Sequence, residues 1–246
     1  MNTRVIVLAA GKGTRMQSDI PKVLVPLDGR PMIQYLLDAI RVSGADQRPV
    51  LVVGHHADVL RSTLGNSYDY VYQKEQLGTG HAVQCAESLL AGTTDNIIVL
   101  YGDHPFVGAD TIAKLKTLHE REGCALSMMT SIVEDFNEWR VPFGDFGRIV
   151  RDAQGRIVSI VEAKDATSAE RNIREVNPAF FAFKAPWLWE NLKKLKSDNA
   201  KGEYYLTDLV HIAITGGECL ASMPIDPTES IGVNTPEHLT LVKAVK

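Results

Sequence analysis

The first 130 residues switch repeatedly between two periods, and this constrains the chain more than anything else in it. Short runs of apolar and aromatic residues, "RVIVLAA", "PVLVVG", "YVYQ" and "NIIVLYG", have the character of strands covered on both faces. The stretches between them carry apolar residues at helical spacing. Pro31 opens one such helix, Ile33, Leu36, Leu37 and Ile40 mark its inner face, and Gly44 ends it. A second is capped by Thr79 and striped by Ala82, Val83, Ala86, Leu89 and Leu90. This alternation predicts an α/β fold: a Rossmann-like, mostly parallel sheet with helices on both faces.

The middle third reads differently. "FGRIVRD" and "GRIVSIVEA" are β-rich runs on either side of "AQ", an arrangement that predicts a hairpin. A further apolar run, "PAFFAF", follows "REVN", and helices return at Trp187 to Leu195 and Leu206 to Ile214, the latter closed by Gly216 and Gly217. A last short helix follows "NTPEHL". No repeat, low-complexity tract or linker interrupts the 246 residues, so the expectation is one domain, 1–246, with a smaller antiparallel insertion.

A net charge of −4 argues against a general nucleic-acid binder. It leaves room for an anionic ligand, because local cations or a metal ion can reverse the sign at one site. Cys85, Cys124 and Cys219 are far apart and show no metal-ligand spacing, so they read as reduced thiols of a cytoplasmic protein. The run Val5 to Ala10 is too short for a signal peptide. No stretch approaches the roughly 20 apolar residues of a membrane span.

The first strand empties into "LAAGKGTRM". This is not a P-loop, which needs a second glycine followed by lysine, nor the dinucleotide fingerprint, which needs glycine where Met16 stands. The ingredients of anion binding remain: Gly11 and Gly13 let backbone N–H groups approach a phosphate, and Lys12 and Arg15 add charge. In an open parallel sheet ligands bind beyond the carboxyl ends of the strands. Asp103 lies there, after "NIIVLYG"; alone it is either a turn residue or a Mg²⁺ ligand. Lys22, in "DIPKVLVPLDGRP", is by itself a surface lysine on a proline-stiffened segment.

With "PKVL", "QLGTGHAV", "YGDHP", "VEAKDAT", "GEYYLTD" and "IGVNTP" following in order, the chain resembles the sugar-1-phosphate nucleotidyltransferases. Among these it is similar to the uridyltransferase domain that opens the bacterial bifunctional N-acetylglucosamine-1-phosphate uridyltransferases. The resemblance implies a Mg²⁺-dependent attack of a sugar 1-phosphate on the α-phosphorus of UTP, releasing pyrophosphate. It implies a nucleotide-binding part over about residues 1–135 and a sugar-binding part, the antiparallel insertion, over about 136–230. Arg15 and Lys22 would be catalytic. The backbone of Leu8, Ala9, Ala10, Gly11 and Gly13, with Gln73, Gln76, Gly78 and Thr79, would hold the nucleotide. Tyr101, Gly147, Glu162, Asn177 and Thr207 would hold the sugar, and Asp103 with Asn234 the Mg²⁺.

The chain departs from the family pattern around the sugar. "PFGDFGR" stands for Pro-Thr-Gly-Tyr-Gly-Arg with one residue more, Pro178 and Ala179 stand for Thr-Gly, and His104 stands for an apolar residue. His104 is expected to hydrogen-bond a neighbour or touch a phosphate. Adjacent His55 and His56 splay apart and are expected at the surface. Lys246 comes before any hexapeptide repeat, so for a complete chain the resemblance implies no acetyltransferase and no basis for the family's trimer. Alternative readings are another sugar phosphate or dTTP, a non-catalytic nucleotide-sugar sensor, and an interaction scaffold.

Overall fold

A computed structural model of the chain describes residues 1–11, 13, 16, 20–199 and 201–245. Strand β1 (Thr3–Ala9) leads, past the glycine loop, to a two-residue ribbon, β2 (Pro26–Leu27) and β3 (Arg30–Pro31), and then to helix α1 (Met32–Val42). Gly44, at φ +69°, follows the end of α1 as expected. The alternation then runs through β4 (Val50–Val53), α2 (Ala57–Leu64), β5 (Asp69–Tyr72), α3 (Thr79–Gln84), α4 (Glu87–Leu90), β6 (Asn96–Tyr101) and α5 (Ala109–Glu122) to β7 (Leu126–Ile132). Next come β8 (Gly147–Arg151), β9 (Ile157–Val161), α6 (Ser168–Arg171), β10 (Glu175–Asn177), β11 (Phe181–Lys184), α7 (Ala185–Leu192), α8 (Asp208–Thr215), β12 (Leu220–Ile225) and α9 (Pro236–Val245).

Among the described residues, the ten strands other than β2 and β3 form one sheet. Strands β5, β4, β1 and β6 are parallel neighbours, the half foreseen from the alternating periods. Beyond β6 the sheet becomes mixed: β11 runs antiparallel between β6 and β7, and β12 lies parallel to β7. The period of two along each strand explains the helices on both faces. Ile6, Val50, Val52, Ile97 and Val99 face α3, α7 and α8 through Val83, Leu188 and Leu209. Val5, Val7, Leu51, Ile98 and Leu100 face α1 and α5 through Leu36, Leu37 and Leu115. The expected hairpin is present as β8 and β9, but it extends this same sheet through β10.

Several local expectations are corrected. Gly78, not Thr79, is the N-cap residue of α3; the Thr79 hydroxyl accepts from Leu206 N–H at 2.9 Å instead. The helix foreseen there breaks in two, leaving Leu89 exposed. Cys124 and Cys219, expected as separate thiols, are joined by a disulfide with Cα atoms 4.7 Å apart. The pairing of β12 with β7, which sets Leu220 opposite Leu126, brings them together. Among the described residues no helix is long and apolar enough to cross a membrane.

His119 of α5 is buried, with Nδ1 2.8 Å from the Ser127 hydroxyl on β7. Burial pushes its pKa down, helped by Lys184 and opposed by the Phe183 backbone and Glu120. The folded state therefore binds the His119 proton less readily than the unfolded chain does. That contribution to stability is present above the unfolded pKa of about 6.5 and is lost as the pH falls through the lower folded value. We expect the melting temperature to fall further between pH 7.5 and 5.5 in the native chain than in His119→Gln. Equal falls in a thermal-shift series would remove His119 from the acid response.

Candidate functional site

The site is built where the parallel strands end. Strand β1 stops at Ala9, and Leu8, Ala9, Ala10 and Gly11 line one side of a cavity of about 240 Å³. Gln73, Gln76, Gly78 and Thr79 line it too, as do Lys22, Tyr101 and Asp103. Gly13 is not part of the lining. At φ +59° it lets the loop seat against Lys22, whose Cβ would stand 2.6 Å from a Cβ at this position. Arg15, and Lys12 with it, lie outside the described residues.

Gln73 is buried, and its amide is oriented by its partners. Nε2 reaches the Gly78 carbonyl at 3.1 Å and His81 Nδ1 at 3.1 Å. A carbonyl can only accept, so the nitrogen faces it, and both amide hydrogens are used. Oε1 is what remains for a ligand. Gly78, at φ +110°, has no room for a side chain: a Cβ would stand 2.6 Å from the Tyr204 carbonyl oxygen. Tyr204 N–H donates to Leu77 and Gly80 N–H to Tyr204. The motifs "QLGTG" and "EYY", read separately in the sequence, are thus hydrogen-bonded to each other.

A second cavity, of about 570 Å³, opens at a fork in the sheet. Along one edge of the β10–β11 segment, β6 covers residues 181–184 and β8 covers 176–177, which leaves Pro178, Ala179 and Phe180 between them unpaired with either. Asn177 Oδ1 accepts from Ala179 N–H at 2.8 Å, and Ala179 takes φ +64°, a conformation that suits glycine better. Tyr101, Gly147, Glu162, Asn177 and Thr207 all line this cavity. Gly147 is needed for closeness, since a Cβ would stand 2.8 Å from Ile160. The apolar wall, with Phe143 and Phe146, is wrapped around Arg148. Its guanidinium donates to the Phe146 and Gly144 carbonyls and lies 4.6 Å over the Phe136 ring. The Glu162 carboxyl has no hydrogen-bond partner among the described residues, and burial pushes its pKa up.

Tyr101 belongs to both cavities, and beside it sits a compact charged cluster. Lys22 Nζ donates to Asp103 Oδ2 at 2.5 Å and to Asn234 Oδ1 at 2.9 Å. Burial alone would raise the Asp103 pKa, but His104 and Lys22 hold it well below the usual carboxylate range. The ammonium thus marks a point where two side-chain oxygens from distant segments converge on one cation. Among the described residues no group of three or more His, Cys, Asp or Glu could ligate a metal. A carboxylate with one amide oxygen is the sparse protein share that suits Mg²⁺, which keeps waters and takes substrate phosphates as its other ligands.

His104 hydrogen-bonds a neighbour, as one of its two expected readings had it: Nδ1 lies 2.9 Å from Asp103 Oδ1. His55 and His56 are exposed. Sequence reasoning missed Glu203, which lines the first cavity, and His238, which lines the second. Glu203 stands inside the motif "GEYYLTD" and His238 inside "NTPEHL", which was read only as a helix start, so the signal was present but was assigned to neighbouring residues.

A family model for the MobA-like NTP transferase domain matches residues 5–205, which include the loop, Lys22, Gln73 and Asp103. The chain belongs to this NTP transferase family. Proteins called bifunctional protein GlmU are similar to it over nearly all of its length. The one from Brevibacillus brevis is 42% identical over 240 residues, covering 97% of this chain and 50% of the relative. That of Geobacter metallireducens is 44% identical over 237 residues, covering 95% and 48%. That of Geobacter sulfurreducens is 43% identical over 248 residues, covering 100% and 50%. The chain spans about half the length of these relatives, and the resemblance read from its motifs is borne out.

Proposed function

We propose that the chain is a Mg²⁺-dependent uridylyltransferase that joins UTP and N-acetylglucosamine 1-phosphate to give UDP-N-acetylglucosamine and pyrophosphate. The observation that carries this is the convergence of Lys22, Asp103 and Asn234 beside Tyr101, the one described residue that the two cavities share. A nucleotide in the smaller cavity and a sugar phosphate in the larger would bring their phosphates together at this cluster. An oxygen of the sugar phosphate then bonds to the α-phosphorus as the bond to the β-phosphoryl oxygen breaks, and its electron pair leaves with pyrophosphate. Such a transfer needs positioning and charge stabilisation more than a covalent helper. Asp103 and Asn234 would hold Mg²⁺, which when bound neutralises phosphate charge. Lys22 would then pair with the α-phosphate, and Arg15 with the triphosphate. Residues 1–246 would act as one nucleotidyltransferase unit, its sugar part from about 136 to 230.

Gln73 supports uracil as the base. With both amide hydrogens engaged, its Oε1 can accept the N3–H of uracil or thymine but not the bare N3 of cytosine. Gln73→Ala is expected to raise the KM for UTP about tenfold, the cost of one hydrogen bond to a buried partner. An unchanged KM would take Gln73 out of base recognition.

The second cavity favours keeping another sugar 1-phosphate in view. Phe146 brings a phenyl ring without a hydroxyl, and Pro178 and Ala179 line the same wall. The deciding experiment is pyrophosphate release with Mg²⁺, crossing UTP, dTTP, CTP and ATP against N-acetylglucosamine 1-phosphate, glucose 1-phosphate and N-acetylgalactosamine 1-phosphate. UTP with N-acetylglucosamine 1-phosphate is expected to dominate. A different winning pair would keep the chemistry and change the substrate, while binding of UTP without release would favour a sensor.

A further inference from the structure

The proposed reading leaves His104 without a task, although it is buried at the centre of the site. Successive side chains along a strand point to opposite faces. Here the strand has ended at Tyr101, and a turn closed by His104 N–H donating to the Tyr101 carbonyl folds the imidazole back onto the carboxylate one residue before it. A carboxylate only accepts, so Nδ1 carries the proton and donates to Asp103 Oδ1.

The ring is fixed from the other sides as well. It meets Phe180 edge-on with centroids 4.9 Å apart, and Tyr101 at 5.9 Å. Its Nε2 lies against Gly232, where a Cβ would stand only 2.8 Å away. Gly232 is two residues before Asn234, and Val233 N–H donates to the Asp103 carbonyl at 2.9 Å. The imidazole is thus wedged between the segments that carry the two converging oxygens.

We propose that His104 is a positioning residue for the metal site: it occupies Asp103 Oδ1 and thereby presents Oδ2 alone toward the point that it shares with Asn234 Oδ1. The inference rests on the nucleotidyltransferase reading, in which Asp103 and Asn234 hold the metal. An apolar residue, which the family resemblance puts at this position, packs in the same place but leaves the carboxylate free to rotate. Hydrogen bonds to ligating carboxylates are commonly worth 10–100-fold in metal affinity.

The test is Mn²⁺ binding, alone and with UTP but without sugar phosphate, followed by loss of the free Mn²⁺ resonance in electron paramagnetic spectra. No turnover enters the readout. His104→Phe keeps an aromatic ring and removes the donor, and it is expected to weaken Mn²⁺ binding about tenfold. His104→Asn offers an amide N–H from a similar place and is expected to recover most of that loss. Thermal melts check the fold, and His104→Leu makes the same comparison should the phenyl ring not be accommodated. Mn²⁺ binding by Asp103→Asn equal to that of the native chain would overturn the metal site and this role together. Weak binding by Asp103→Asn with His104→Phe within twofold of native would overturn the role of His104 alone. Equal losses in His104→Phe and His104→Asn would overturn the hydrogen bond and leave only packing.

Discussion

Asp103→Asn is expected to lower the rate of pyrophosphate release on the order of 10³-fold at any Mg²⁺ concentration, with UTP binding retained. The substitution keeps the volume and the hydrogen-bonding oxygen but removes the charge that lies between Lys22 and His104. Charge stabilisation by a bound metal is worth several kcal/mol, and about 4 kcal/mol corresponds to that factor in rate. Removing one partner of a buried ion pair also destabilises the fold, so the melting temperature should drop. The check is an initial-rate titration with Mg²⁺ on folded protein, beside a UTP-binding measurement. A rate within tenfold of native would take Asp103 out of the reaction.

Lys22→Ala is expected to lower turnover by about 10²–10³-fold, the usual loss when one preorganised donor to a developing negative charge is removed. The KM for UTP should change less, because the cavity wall formed by Gln73, Gln76 and the loop backbone is untouched. The comparison of kcat with KM separates this role from simple binding: a KM effect with unchanged turnover would make Lys22 a ground-state contact. Lys22→Arg is not expected to restore the rate, since a planar fork cannot fill the place of a compact ammonium held between two oxygens.

The parallel half of the sheet was legible because its strands are apolar on both sides; every residue from Val50 to Val53 is buried. Strand β7 was not legible, because Ser127, Thr130 and Ser131 interrupt its apolar run while lying in the interior. Ser127 meets His119 of the preceding helix, and Ser131 meets Ser230, a partner 99 residues away in sequence. Strand β12 carries Pro224 and small residues, which hide an edge strand from pattern reading. The disulfide follows from the pairing of these two strands, so it shared their fate. The site residues were chosen from motif resemblance, and the structure gathers the described ones, Gly13 apart, around two cavities and their junction. What a motif could not convey is orientation: that Gln73 turns only its oxygen outward, or that His104 folds back on Asp103.

The charged cluster joins residues 22, 103 and 234, and Lys22 stands 212 residues before Asn234. At a synthesis rate of about 5–20 residues per second, roughly 10–40 s separate their appearance at the ribosome. The parallel strands β1, β4, β5 and β6 are made well before the segment that carries the Asn234 oxygen of the cluster. During synthesis Lys22 and Asp103 therefore stand without their third partner until the Asn234 segment closes against Asp103, and on the proposed function a nascent chain would be chemically silent until then.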